Sequence, residues 1–293
     1  MTIASLVAEG KFAVSGEVGP PKGVDVTDVI EGAKMMAPYV DIVNVTDNQS
    51  AVVRLGSLAV SHLLKAEGIE PVFQLVCRDR NRIALQSDLL SAAALGVENV
   101  LILTGDHMVL GDHPEAKPVF DLDSVQLLAA AKALNEGYDL EGHELKGSPA
   151  LCLGAVVNPG SDEPETQLIK MRKKIDAGAQ FFQTQAVYEP EIFARFMERA
   201  EKLGAPVMVG IVPLKSANMA RYMTENVAGV RVPDEMVERL RQTPRDDRKK
   251  VSVEMSVALA MEMKEVCQGV HLMPLGWDDL VPAIVEGAGL RGS

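Results

Sequence analysis

Basic residues, clustered cysteines and long apolar runs are all scarce in this sequence. The sequence has 29 Lys and Arg but 41 Asp and Glu, which gives a formal net charge of −12. This charge excludes an extended surface for nucleic-acid phosphates. Cys77, Cys152 and Cys267 have no metal-ligand spacing, so we expect reduced thiols, no bound metal and a cytoplasmic protein. No apolar run reaches the roughly 20 residues of a membrane helix, and no secretory signal pattern opens the chain.

What is present instead is a repeated unit of helix, glycine and short apolar segment. Hydrophobic residues make up 47% of the 293 residues, enough to bury a large core. A glycine that follows a helix favours the left-handed cap conformation, and the apolar run behind it predicts a strand buried on both faces. Such strands alternating with helices indicate a parallel sheet. The glycines in question are Gly68, Gly96, Gly178, Gly204 and Gly269.

The unit predicts eight strands, mostly about thirty residues apart, which is the length of one β-α unit. Eight units favour the α/β class and a closed TIM (β/α)8 barrel. An open doubly wound sheet is the alternative, although no G-x-G-x-x-G follows the first strand. The predicted strands are Ala13–Val18, Asp41–Thr46, Val72–Val76, Val100–Thr104, Leu151–Val157, Phe181–Gln185, Val207–Val212 and Val270–Leu275.

We expect residues 1–293 to form one barrel domain with two insertions. The first, at about 107–149, follows the fourth strand and should lie over the C-terminal mouth, where barrel enzymes bind substrates. The second, at about 233–250, contains a short extra helix and the charged run PRDDRKK, for which we expect a solvated loop.

Side chains at the carboxyl ends of barrel strands point into the mouth. Glu17 and Asp106 end apolar strands there, and because burying an unpaired carboxylate is costly, each should have a role. The alternatives are a salt bridge for Glu17 and a turn cap for Asp106. The other mouth residues are Thr46, Asp47, Asn48, Gln74, Cys77, Asn158, Gln185, Lys215, His271 and Trp277.

Five segments, in this order, resemble methylenetetrahydrofolate reductases. They are SGEVGPPKG, DIVNVTDN, LILTGDH, KKIDAGAQFFQTQAVY and GVHLMPLGW, and the similarity runs from about Ala13 to Leu290. Single motifs such as T-G-D are unspecific, whereas the ordered set is specific.

The resemblance implies a flavoenzyme that reduces 5,10-methylenetetrahydrofolate to 5-methyltetrahydrofolate by hydride transfer from the flavin. Glu17 matches the general acid that opens the folate bridge, and its burial would favour the protonated carboxyl. Asp106 matches the aspartate near flavin and pterin, where an anion would favour the developing cation. Gln185, with both carboxylates, matches pterin-binding residues. The flavin is expected to be FAD, with FMN as the alternative, held by Thr46, Gln74, Thr104, Asp106, Asp123 and Lys174.

Four positions depart from the family pattern. Thr104 stands in place of an arginine, Gln74 in place of a histidine, and Ala217 in place of an aromatic residue on which nicotinamide and folate stack. The run Met273–Trp277 replaces a Y-T-L-N-R-like ending. The changes resemble reductases of anaerobic one-carbon pathways, which work with partner subunits carrying metal or iron–sulfur centres. Tyr188 or Phe182 could supply another aromatic platform.

Three hypotheses therefore remain open. The chain is a flavin reductase that uses NADH or NADPH, a catalytic subunit whose flavin is reduced by a partner protein, or a pterin-binding barrel without redox chemistry that transfers methyl groups or binds folate. A homo- or hetero-oligomer is expected. Any iron–sulfur or zinc centre would have to come from another polypeptide, since the chain has no cysteine cluster.

Overall fold

Eight parallel strands close into a barrel in the order of the chain. The computed structural model describes residues 1–291, and the last two residues of the predicted domain lie outside the described residues. Each strand pairs with its sequence neighbours, and β1 pairs with β8 through Val14 and Val270, so the sheet has no open edge. The closed barrel is confirmed. The strands are β1 Ala13–Val18, β2 Ile42–Val45, β3 Pro71–Val76, β4 Asn99–Leu103, β5 Cys152–Val157, β6 Phe181–Ala186, β7 Val207–Ile211 and β8 Gly269–Leu272.

Helices surround the barrel, and one extra helix closes its lower end. Eleven helices lie within residues 1–291: α1 Ile3–Ala8, α2 Thr27–Met36, α3 Ser57–Ala66, α4 Arg82–Ala94, α5 Ser124–Asn135, α6 Pro164–Asp176, α7 Pro190–Ala200, α8 Ala217–Asn226, α9 Asp234–Gln242, α10 Arg248–Met263 and α11 Val281–Gly287. None of them, over the part of the chain described, is both long and apolar enough to cross a membrane.

The lower part of the barrel interior is apolar. Helix α1 inserts Ile3 into it, and the Ile3 amide donates to Asn99 Oδ1 at 3.1 Å. Because the side chains of a strand alternate between its two faces, one inward residue from each of seven strands forms this layer. They are Ala13, Ile42, Val72, Leu101, Cys152, Phe181 and Met208. The layer closes the bottom of the barrel and leaves only the upper end for chemistry.

The glycine prediction is confirmed at four of its five positions. Gly68, Gly96, Gly178 and Gly204 have φ between +77° and +114°, which L-residues with a side chain rarely adopt. The prediction is wrong for Gly269, which opens β8. A Cβ atom there would lie 2.4 Å from the Ala13 carbonyl oxygen, so this glycine allows β8 and β1 to approach.

Strand β8 is shorter than predicted. It ends at Leu272 because Leu275 and Gly276 take φ values of +52° and +86°, which turn the chain away from the sheet. The loop that follows brings Trp277 back to the upper rim of the barrel. The other seven strands begin and end within one residue of their predicted limits.

The first insertion divides into two parts on either side of α5. Residues 107–123 cross the loop that follows β2, where a Cβ on Gly111 would lie 1.9 Å from the Ala51 carbonyl oxygen, and Asp112 accepts from Lys22 beyond β1. Residues 136–150 instead lie beside α4, with the Leu140 amide donating to Gln86 Oε1. Only the first part therefore lies at the mouth.

The second insertion contains the predicted extra helix as α9. The expectation of a loop for the run PRDDRKK is wrong, since Arg248–Lys250 form the first turn of α10. The run is largely exposed, as a charged helix start should be.

Candidate active site at the upper end of the barrel

A polar layer lies directly above the apolar one. Residues two positions further along each strand point to the same side, so the strands that supply Ala13 and Ile42 below also supply Ser15 and Asn44 here. Five of these side chains are buried: Ser15, Asn44, Gln74, Gln183 and His271. A packed barrel core is ordinarily apolar, and so many buried polar groups require mutual hydrogen bonds.

Glu17 lies at the top of this layer and is 8% exposed. Gln74 Nε2 donates to Glu17 Oε2 at 3.0 Å, and His271 Nε2 lies 3.4 Å from the same oxygen. The expectation of an apolar strand end is therefore wrong in detail, since the carboxyl has a neutral amide and an imidazole beside it. Among residues 1–291 no Lys or Arg pairs with it, so the alternative of a loop salt bridge is not seen.

The layer continues as a chain of hydrogen bonds across the barrel. Ser15 Oγ lies 2.9 Å from His271 Nδ1, and Gln183 Nε2 reaches Ser15 Oγ at 3.4 Å. Gln183 and Asn44 exchange amide hydrogen bonds of 2.7 and 3.1 Å. The Glu17 carboxyl is thus the outermost member of this layer: Ser15 hydrogen-bonds to Nδ1 of the His271 ring, and Nε2 lies 3.4 Å from Glu17 Oε2.

The loop after β2 carries one buried polar atom with no protein partner. Thr46 is 3% exposed, and its Oγ1 makes no hydrogen bond to any residue in the range 1–291. Its neighbour Asp47 is fully engaged, because Arg80 donates two hydrogen bonds to its carboxylate and the Val76 amide a third. Thr46 therefore has unused hydrogen-bonding capacity at the mouth. The carboxylate of Asp47 instead holds Arg80 and the end of β3 in place.

The loop after β4 presents Asp106 to solvent. The side chains of Thr104 and Asp106 are exposed, and Asp106's carboxylate makes no hydrogen bond to residues 1–291, so it is not the cap of its own turn. Its backbone carbonyl accepts from Arg78 Nη1 at 3.0 Å. Thr104 Oγ1 reaches Ser124 Oγ at 3.4 Å. Asp106 is available to a ligand.

Gln185 is also exposed, because β6 is irregular at this point. The pairing of β6 with β7 shifts between Gln183 and Ala186, and Gln185 Oε1 accepts from the Ala186 amide at 3.1 Å. An extra residue in one strand re-aims a side chain near a rim. Within residues 1–291 the amide nitrogen of Gln185 has no hydrogen-bond partner, and the side chain is exposed.

Lys174 is partly buried, and its charge interacts with that of Asp123. Lys174 Nζ donates to the Val156 carbonyl at 2.7 Å. Burial first, and then the charge of Lys170, lowers the pKa of Lys174 to about 8, with Asp123 opposing the shift. Asp123 Oδ1 accepts from the Val125 and Gln126 amides at 2.8 Å each, so this carboxylate caps α5. Lys174 is a partly buried cation rather than an ordinary surface lysine.

Trp277 lies on the rim between two lysines. The ammonium groups of Lys215 and Lys249 lie 5.3 and 5.7 Å from the centre of its ring. Lys215 also donates to the Leu275 carbonyl, and Lys249 pairs with Asp279 at 2.6 Å. Lys249 therefore has a carboxylate partner and Lys215 a carbonyl partner, and both side chains hold the loop after β8.

Neither Tyr188 nor Phe182 takes the place of the aromatic residue that the family pattern has at Ala217. Tyr188 is 3% exposed and donates its hydroxyl to the Val212 carbonyl, and Phe182 packs in the outer core. The idea that either residue offers a stacking platform is wrong. Trp277 is the aromatic side chain that the structure places on the rim next to Lys215.

Two other predicted mouth residues, Cys77 and Asn158, have structural roles. Burial raises the pKa of Cys77 to about 12, so its thiol is not a nucleophile at neutral pH. Asn158 Nδ2 donates to the Ala228 carbonyl, which ties the loop after β5 to the loop after α8. Within residues 1–291 no three His, Cys, Asp or Glu side chains are grouped to hold a metal ion.

Sequence reasoning missed Ser15, Asn44, Gln183 and Arg78. A signal existed for Ser15 and Asn44, because each precedes a predicted mouth residue by two positions in a regular strand and must share its side. The bulge in β6 breaks this alternation between Gln183 and Gln185. For Arg78 the sequence context, CRDRN, gives the opposite indication of an exposed charged turn, although the side chain is 1% exposed.

Comparison with known proteins identifies the family of this chain. The family model described as methylenetetrahydrofolate reductase matches residues 2–289. The 5,10-methylenetetrahydrofolate reductase of Pectobacterium carotovorum is 24% identical over 97% of this chain and 92% of its own length. Methylenetetrahydrofolate reductase 2 of Schizosaccharomyces pombe is 26% identical over 76% of this chain, and methylenetetrahydrofolate reductase (NADH) 1 of Arabidopsis thaliana 24% identical over 98%.

The chain spans 36% of the length of the S. pombe relative and 50% of the Arabidopsis one. Among solved structures, an uncharacterized protein from Clostridium thermocellum that binds two copies of 5-methyl-5,6,7,8-tetrahydrofolic acid matches with a TM-score of 0.69. That alignment has 14% identity and covers 98% of this chain and 99% of that one. At this identity the likeness shows the fold.

Proposed function

The chain belongs to the methylenetetrahydrofolate reductase family, and on that basis we propose that it reduces 5,10-methylenetetrahydrofolate to 5-methyltetrahydrofolate with electrons from a bound flavin. The observation that carries the proposal is Glu17, a nearly buried carboxyl at the mouth, in contact with Gln74 and His271. A folate ligand is also found on this barrel fold in the C. thermocellum protein.

Glu17 is the proposed proton donor. The bridge between the two folate nitrogens must open before reduction, and a positioned acid assists this by protonating the leaving nitrogen. Gln74 holds Oε2, while His271 and Ser15 complete the support behind it. After the transfer, the Glu17 carboxylate would keep the hydrogen bond from Gln74 and lie 3.4 Å from His271 Nε2.

Asp106 and Gln185 are the proposed contacts of the pterin. Their side chains are exposed at the mouth, and the Asp106 carboxylate has no partner in residues 1–291. An unpaired anion close to the reacting carbon would stabilise positive charge that develops when the bridge opens. Gln185 offers amide hydrogens to a heterocycle with several acceptor atoms.

The residues at the mouth fit a flavin. Thr46 Oγ1 is buried and lacks a protein partner, as a hydroxyl reserved for a ligand would be. Lys174 has one carbonyl acceptor and two further N–H groups, which suits a phosphate. When bound, the flavin supplies the hydride. We propose FAD rather than FMN, with Thr104 and residues Phe120–Asp123 along the dinucleotide, because the sequence FDLD at these positions resembles the family segment that packs along this part of FAD.

A partner protein is the proposed electron donor, and the surroundings of Ala217 support this. Tyr188 and Phe182 are buried elsewhere, so neither offers a platform for a nicotinamide ring. Loss of an offset aromatic contact costs about 0.5–1.5 kcal/mol. Full flavin reduction within a second of anaerobic mixing with NADH or NADPH would reject a partner; slow reduction that a co-purifying subunit restores would support one.

The reaction itself is tested through its folate half. The flavin of the purified chain is reduced chemically without oxygen, then mixed with methylenetetrahydrofolate while flavin absorbance is followed. Reoxidation with formation of 5-methyltetrahydrofolate is expected, and Glu17→Gln should slow it by at least about 10²-fold, the usual contribution of a general acid. Glu31→Gln, on the exposed face of α2, is the charge-matched control. Equal rates in wild type and Glu17→Gln would remove Glu17 from the chemistry.

A further inference from the structure

Arg78 is the largest fully buried side chain in residues 1–291 and lies directly behind the mouth. Nε and Nη2 donate to the two carboxylate oxygens of Asp79 at 2.7 Å each. Nη1 donates to the Asp106 carbonyl at 3.0 Å, and Nη2 also donates to the Asn48 carbonyl at 3.1 Å. One guanidinium therefore joins the loops that follow β2, β3 and β4.

The lost solvation energy of the buried guanidinium is offset only when all of these contacts are made together. A guanidinium taken out of water loses a large solvation energy, and only a matched carboxylate and further acceptors offset it. The bidentate pair with Asp79 supplies the first requirement. The carbonyls of Asn48 and Asp106 supply the second, so neither loop can move without leaving a buried N–H unpaired.

Both loops have backbone conformations that need such support. Asn48 is left-handed, with φ +43°, and its Nδ2 donates to Asp79 Oδ2 at 3.3 Å. Gly105 has φ +90°, and a Cβ there would lie 3.1 Å from the Cβ atoms of both Arg78 and Val76. The turn that carries Asp106 is therefore built directly on the stem of Arg78.

We infer that Arg78 is a positioning residue, which fixes Asp106 and the Thr46–Asn48 segment relative to each other so that the pterin and flavin contacts form together. This inference rests on the proposed function for the roles of Asp106 and Thr46. The coupling of the two loops itself rests on the contacts alone. Lysine cannot replace arginine here, since an ammonium lacks the planar fork that reaches a carboxylate and two carbonyls at once.

The first test needs no ligand. Amide hydrogen exchange of the full chain is compared in wild type and Arg78→Lys, with attention to residues 46–54 and 104–111. Both segments should lose protection together in Arg78→Lys. The matched control is Arg82→Lys, whose arginine also pairs bidentately with an aspartate, Asp121, but makes no hydrogen bond to residues 46–54 or 104–111. Loss of protection in one segment only, or in neither, would overturn the coupling.

The second test measures the consequence for folate reduction. A displacement of about 1 Å at a reacting group costs about 10²-fold in rate, and Arg78→Lys should slow flavin reoxidation by that order. In an Asp106→Asn background the same change should cost much less, because the group it positions is already gone. Equal factors in the two backgrounds would overturn the positioning role. Failure of wild type to act on the folate would instead refute the proposed function, leaving the exchange result intact.

A milder variant covers the case in which Arg78→Lys does not fold. Asp79→Asn keeps the shape of the carboxylate but weakens its pair with Arg78. Exchange in both segments should rise by a smaller factor, and the flavin midpoint potential should shift in the direction produced by Asp106→Asn. Wild-type exchange in both segments and an unchanged potential would overturn the inference.

Discussion

We predict that Lys174 makes flavin binding depend on pH. Its Nζ donates to the Val156 carbonyl in a partly buried position, and burial first, then Lys170, lowers the pKa of the ammonium to about 8, although Asp123 opposes the shift. An anionic phosphate beside Nζ would favour the charged form and raise this pKa. By linkage, flavin affinity is highest below about pH 8 and falls as the pH rises through that value.

The size of the effect follows from the same pKa. The ammonium form is about nine-tenths populated at about pH 7 and about one-tenth populated at about pH 9. If phosphate keeps Lys174 charged in the complex over this range, flavin affinity falls roughly tenfold between the two, or about 1.4 kcal/mol. Lys174→Met removes a charged hydrogen bond, about 1.5–3 kcal/mol, and should abolish this part of the pH dependence.

Quenching of flavin fluorescence on binding is a direct assay, titrated at several pH values between about 7 and 9. Wild type should show the fall in affinity, and Lys174→Met should bind more weakly at low pH with a nearly flat profile. Lys173→Met removes the same charge from an exposed position of α6 and should behave as wild type. A wild-type profile that Lys174→Met reproduces in full would refute the assignment of Lys174 to the phosphates.

Three further predictions concern the mouth and the barrel. Asp106→Asn should raise the midpoint potential of the bound flavin, measured by dye-coupled titration, because an anion near the ring disfavours its electron-rich form; an unchanged potential would place Asp106 away from the flavin. Ser15→Ala should slow folate-dependent reoxidation while flavin affinity stays constant, since Ser15 acts through His271. Gly269→Ala should destabilise the chain by about 1–3 kcal/mol through overpacking, measured by urea denaturation; wild-type stability would contradict the close approach of β8 to β1.

The barrel was predictable because the residues that end its helices and begin its strands form local sequence patterns. A glycine with positive φ after a helix and an apolar run behind it are features of a few neighbouring residues, and Gly68, Gly96 and Gly204 marked their strands correctly. Gly269 looked the same in sequence but serves a contact with β1, which lies some 250 positions away. The sequence pattern cannot distinguish a cap from a close approach, because the second depends on a distant strand.

The candidate site was predictable where a strand end located the residue. Glu17 and His271 were placed at the mouth by strand position alone, and the structure brings them within 3.4 Å. Arg78 was not predictable, since its burial depends on three loops converging from different strands. Lys174 was expected at the flavin only through the family resemblance; its lowered pKa required the packing of α6 against β5.

The polar layer positions the proposed acid at the mouth of the barrel. Asn44, Gln183 and Ser15 hydrogen-bond to one another beneath the His271 ring, so the groups behind this ring are a hydroxyl and two amides. Above them, Gln74 donates to Glu17, and His271 Nε2 lies 3.4 Å from the same carboxyl. The position of the proposed acid therefore depends on side chains from five strands: β1, β2, β3, β6 and β8.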